Sequence, residues 1–161
     1  MAIWNYRYYL IPLDSIKEFN ILNKKNILPE YSKNNFNAFD ENQEFKNYFE
    51  KQNKILHFIK YEVEKILTMK ESWDEDAIVF CDEHGNTITI WSDDIMCELD
   101  LRFNCLNFIQ LTINLAMKYE CVIVIEENGE IINPEMNRFI EMIRDSNVNK
   151  ILKNPVDFIK K

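Results

Sequence analysis

Gly85 and Gly129 are the only glycines among the 161 residues of this chain. Each lies between two apolar segments rich in β-branched residues. A tight hairpin needs positive φ, which glycine adopts at no steric cost. "AIVFCDEHGNTITIW" therefore reads as two strands, 77–82 and 87–91, joined by Glu83-His84-Gly85-Asn86. Cys121–Ile125 is an unbroken apolar run, suited to a strand buried on both faces. Asn128-Gly129 after it is a type I′ hairpin signal, with the chain returning through 130–132. With both glycines at hairpin tips, none is left to cradle a phosphate, which argues against P-loop and Rossmann nucleotide sites.

The other segments complete an α+β pattern. Residues 2–11 alternate as a strand, with Trp4, Tyr6, Tyr8 and Leu10 on one face and Ile3, Tyr9 and Ile11 on the other. Pro12 ends it, and Asp14 can cap a short helix through Ile16, Phe19 and Leu22. Residues 23–44 are Asn-rich and aperiodic, a long loop that Tyr31, Phe36 and Phe39 can pin to the body. A helical stripe runs over 45–69, with or without an internal break; His57 lies beside it. Residues 95–103 alternate as a half-buried strand with a charged outer face. Asn104 can cap a helix to about Tyr119, whose apolar face of Cys105, Phe108, Ile109, Thr112, Leu115 and Ala116 is widened by Leu106, Ile113 and Met117. Asn133-Pro134 and Asn154-Pro155 are N-cap and N1 signals for two more helices. This order predicts a single α+β domain, with a largely antiparallel sheet of about five to six strands and helices packed mainly on one face.

Charge is distributed unevenly along this chain. The stretch from Glu71 to Leu101 holds ten acidic residues and no Lys or Arg, more than the whole net charge of −8. Such a one-signed surface steers a basic protein or a cation toward it. It argues against nucleic acid as partner, because a phosphate backbone needs clustered Lys and Arg. Glu98 and Asp100 are two apart on a strand and point the same way; Asp93 and Asp94 precede them, and Asp82 and Glu83 lie across the hairpin. These carboxylates can hold Mg²⁺ or Ca²⁺, serve acid–base chemistry, meet a basic protein, or simply form a solvated face, as Arg102 among them suggests. Trp73 and Trp91 bracket the stretch; each is either a hot-spot anchor or a core-edge residue. If Ile88 and Ile90 are buried, alternation puts Trp91 outside, beside the acids.

Motifs for other chemistry are missing. There is no H-E-x-x-H and no G-x-S-x-G, and the only histidines are His57 and His84. Cys81, Cys97, Cys105 and Cys121 form no C-x-x-C pair and read as reduced core thiols of a cytoplasmic protein, with no metal and no cofactor expected. The first ten residues do not read as a signal peptide, and no run approaches the roughly 20 apolar residues of a membrane span.

Several segments together resemble a known kind of protein. They are the Trp-Asp-Glu-Asp before the first hairpin, "CELDLRFN", the helix ending "LAMKYE", "VIVIEENGEIINPE", and the closing "IRDSNVNKILKNPVDFIKK". From Trp73 to Lys161 the layout resembles small cytosolic immunity proteins of bacterial polymorphic or contact-delivered toxin systems. The resemblance implies a non-enzymatic inhibitor that covers the active site of a cognate toxin with a basic surface. Acidic residues would take the place of phosphates there. Trp73, Asp74, Asp76, Trp91, Asp93, Asp94, Glu98 and Asp100 are the expected partner-binding residues. A divalent-metal enzyme using the same carboxylates and a general interaction adaptor are the alternatives.

Overall fold

The computed structural model describes residues 4–18 and 47–154. Ile3, Phe19, Leu22, the 23–44 loop, Phe45 and the expected final helix with Phe158 and Ile159 lie outside the described residues. The elements are β1 (Asn5–Pro12), α1 (Leu13–Glu18), α2 (Asn53–Glu64), β2 (Thr68–Lys70), β3 (Ile78–Cys81), β4 (Thr87–Ile90), β5 (Ile95–Asp100), α3 (Leu106–Lys118), β6 (Cys121–Ile125), β7 (Ile131–Ile132), α4 (Met136–Asp145) and α5 (Asn147–Lys153). The seven strands among the described residues join one sheet in the order β2-β3-β4-β5-β1-β6-β7, and every pairing is antiparallel. The α+β class holds, with one strand more than expected.

The extra strand is β2, which the helical stripe over 45–69 conceals. The helix proper is α2, bearing Leu56, Ile59 and Val63 on its buried face. It closes when the amides of Ile66 and Leu67 both turn back to the carbonyl of Val63. Thr68–Lys70 then satisfies the outer edge of β3, with Met69 opposite Phe80. Three residues are too few for a period to register.

β1 enters early in the chain and sits between β5 and β6. The register puts Tyr6, Tyr8 and Leu10 on one face beside Leu99, Cys97, Ile95, Ile125 and Ile123. All of these are buried. Helices α3 and α4 pack on that face. The Tyr8 hydroxyl bonds the Thr112 hydroxyl of α3 at 2.7 Å, and the ring of Phe139 in α4 meets Tyr8 edge-on at 4.7 Å and Tyr6 at 6.1 Å. The opposite face mixes charge with apolar groups: Asn5, Arg7, Tyr9, Met96 and Glu98 lie next to buried Thr89, Val122 and Val124.

Five local expectations are corrected. Asn128-Gly129 does not form a type I′ turn. Gly129 has φ 69°, Asn128 is not at positive φ, and the loop spans 126–130. The Asn128 side chain accepts the Glu130 amide, and the Gly129 amide reaches back to Ile125, so a wider turn closes the hairpin. Helix α4 starts two residues after Pro134, because the Glu135 amide bonds the Asn133 carbonyl around the proline; Glu135, not Asn133, is the N-cap. Leu106 and Met117 are exposed, so they do not widen the buried face of α3. Pro12 closes β1 from inside the strand, paired with Cys121. Gly85 keeps its place at the hairpin tip with φ 84°, but the N-cap of α3 is Cys105 rather than Asn104, which accepts the Leu106 amide from one residue further out.

Candidate functional site

The acidic stretch divides into three places with different electrostatics. The first is the loop 71–77 between β2 and β3. Asp74 orders it by accepting from the Asp76 amide at 3.0 Å and from the Trp91 indole N–H at 2.8 Å. The Ser72 hydroxyl accepts from the Asp74 amide, and the Asp74 carbonyl accepts from the Ala77 amide. These bonds, the Trp91 donor foremost, hold the Asp74 carboxyl below the usual carboxylate range. With its neighbour fixed, Trp73 stands 93% exposed, flanked by exposed Glu71, Glu75 and Asp76.

The second place is the tip of the β3–β4 hairpin. Asp82 accepts from the amides of His84 and Asn86, each at 2.9 Å, and from the Asn86 side-chain amide at 2.6 Å. Asn86 is fully buried, and its side-chain oxygen accepts the Asp100 amide at 2.9 Å. Asp100 in turn grips the Arg102 guanidinium, which lowers the Asp100 pKa and lies 4.0 Å over the Trp4 ring.

The third place is the mixed face of β1, β5 and β6. Glu98 pairs with Arg7 and accepts from the Asn5 amide at 2.6 Å. The Tyr9 hydroxyl donates to Glu126 at 3.4 Å. Burial pushes the Glu126 carboxyl up, and Arg7 partly offsets it. Asp94 closes the β4–β5 turn by accepting the Trp91 amide on its carbonyl. One of its carboxyl oxygens is buried with no hydrogen-bond partner among the described residues. Burial first, and then the charge of Asp93, raises the Asp94 pKa to about 7.

The eight residues singled out from the sequence therefore do not form one even surface. Trp73, Asp74, Asp76 and Trp91 share the stapled loop, and Asp93 and Asp94 follow Trp91 in the adjoining turn. Glu98 and Asp100 are engaged inside the protein, by Arg7 and by Arg102. Ile88 and Ile90 are buried, yet Trp91 is only half-exposed, and its indole N–H already has an acceptor. Of these two tryptophans, Trp73 is the exposed one. Sequence reasoning missed Asn86, whose burial follows from a side-chain network no pattern encodes. It also missed Asn5 and Arg7, whose signal was available as polar positions alternating with Tyr6 and Tyr8 on a strand.

Among the described residues no group of three or more His, Cys, Asp or Glu side chains is arranged to hold a metal ion. An open groove of about 210 Å³ lies elsewhere, lined in part by Pro12, Gln52, Ile55 and Tyr119. Its Lys118 is paired with Glu62. No helix among the described residues is long and apolar enough to cross a membrane. Comparisons with protein families, curated proteins and solved structures found no match.

Proposed function

We propose that this chain is a non-enzymatic immunity protein, which binds and inhibits a cognate bacterial toxin in the cytoplasm through its acidic surface. The observation that carries the reading is Trp73, 93% exposed within an acidic loop. An exposed tryptophan costs the free protein its solvation and repays it when a partner buries it. The carboxylates of Glu71, Glu75 and Asp76 around it favour a partner with Lys or Arg at its contact surface. That charge suits toxins that handle phosphate, whose active sites are basic.

The binding residues follow from exposure. Trp73 supplies the apolar anchor, with exposed Glu71, Glu75 and Asp76 as the charged rim and half-buried Asp93 beside them; Asp74 and Trp91 position the anchor. A pull-down from native-host lysate at low and high salt tests the reading. One stoichiometric basic partner is expected, released by salt. Trp73→Ala and the pair Glu75→Lys with Asp76→Lys should each weaken its capture at least tenfold, a loss of about 1.4 kcal/mol or more. Capture unchanged by all three substitutions would remove this surface from the interface.

A further inference from the structure

Among the described residues, the strand that precedes the Trp73 loop has a neighbour on one side only. β2 is an edge of the sheet among the described residues, and Thr68, Met69 and Lys70 are all exposed. The ladder fixes which backbone groups face outward. The Asp82 amide bonds the Asn86 carbonyl, so Asp82 turns its backbone groups toward β4. Antiparallel pairs alternate, so Phe80 and Ile78 also turn toward β4, and Cys81 and Val79 turn toward β2. Their partners Thr68 and Lys70 answer them. The N–H and C=O of Met69 are left pointing away from the sheet.

We propose that β2 receives an extended, lysine- or arginine-bearing segment of the partner as an added strand, bonded through the Met69 backbone. An edge strand with exposed side chains is a template for such pairing. Charge selects the occupant. The loop that leaves β2 carries Glu71, Asp74, Glu75 and Asp76, and from Glu71 to Leu101 there is no Lys or Arg. A strand lying along β2 passes this loop, where its cations meet the carboxylates and Trp73 covers one of its side chains. The mode rests on the reading of this chain as a binder of a basic partner, and it specifies how that partner attaches.

The probe is a short capped peptide of alternating valine and lysine, with an analogue of equal charge whose pairing edge is N-methylated. The peptide should bind at low salt, change tryptophan fluorescence and slow exchange of the Met69 amide about tenfold or more. The N-methylated analogue should bind about tenfold more weakly. Met69→Pro, which removes the outward N–H from an edge position that tolerates proline, should weaken binding similarly, and Met69→Ala should not. Equal binding of both peptides, or binding without slowed Met69 exchange, overturns strand addition and leaves charge-guided capture standing. Binding of neither peptide overturns both.

Discussion

The Trp91 indole N–H bonds the Asp74 carboxylate at 2.8 Å across seventeen residues of chain, fastening the acidic loop to the end of β4. Asp74 uses its other oxygen on the Asp76 amide, so one carboxylate both shapes the loop and moors it. Trp91→Phe keeps the ring and deletes the donor. It should leave the sheet intact but let Trp73 move faster, lowering fluorescence anisotropy and speeding proteolysis within 71–77. Asp74 has a depressed folded pKa, so its contribution is full above the unfolded value near 4 and is lost as pH falls through the folded value. Anisotropy of the parent should drop in the same acid range. Unchanged anisotropy in Trp91→Phe would mean that the loop is held by its own turns.

Asp94 acts in the opposite direction. Burial raises its pKa to about 7, above an unfolded value of about 3.9. The folded protein then holds a proton that the unfolded chain has released. Stability from this group is full below about pH 4 and falls as pH rises toward 7. Asp94→Asn should remove that slope and raise stability at pH 8 by up to about 4 kcal/mol. Denaturant titrations at pH 5 and pH 8 measure it. Equal gain at both pH values would show that the carboxyl is not the titrating group.

Glu98 warns against reading charge reversal as a pure interface test. Its carboxylate meets Arg7 and Asn5 across the β1–β5 pair, with both ionic side chains mostly covered. Glu98→Lys would set a second cation against Arg7 and should cost about 2–4 kcal/mol of stability. Arg7→Glu combined with it should recover part of that loss, which a double-mutant cycle measures. Additive losses would place the two side chains apart in solution.

Much of the fold is written at the level of period and turn. Tyr6, Tyr8 and Leu10 alternate, the stripe of α3 from Phe108 to Ala116 repeats at helical spacing, and Gly85 marks its hairpin. Each signal is local, so it can be read from neighbours in sequence. β2 escapes because three residues at the end of a helical stripe carry no period of their own; only the edge of β3 assigns them. The site is legible in charge and not in detail. The acidic stretch is visible as composition, but which carboxylates stay free depends on partners far along the chain. Arg7 reaches Glu98, and Trp91 reaches Asp74. That is why Trp91, which alternation alone would place outside, is partly covered, while Trp73 is the exposed one of the two.

Asn86 shows how such a distant link is enforced. Its side-chain amide donates to half-buried Asp82 at 2.6 Å, while its side-chain oxygen accepts from the buried Asp100 amide. Only a side chain with a donor on one arm and an acceptor on the other satisfies both neighbours. Asn86→Ala deletes both bonds and should cost about 2–3 kcal/mol. Asn86→Asp keeps the shape but sets a carboxylate against that of Asp82. Near neutral pH it should cost more than alanine does. The loss should shrink as pH falls toward about 5, because two carboxyls sharing a site bind one proton more tightly than either does in the unfolded chain. Chemical denaturation of both variants at pH 7 and pH 5 tests this. Equal losses for Asp and Ala at both pH values would mean that Asp82 can turn away, and that the hairpin tip does not depend on this contact.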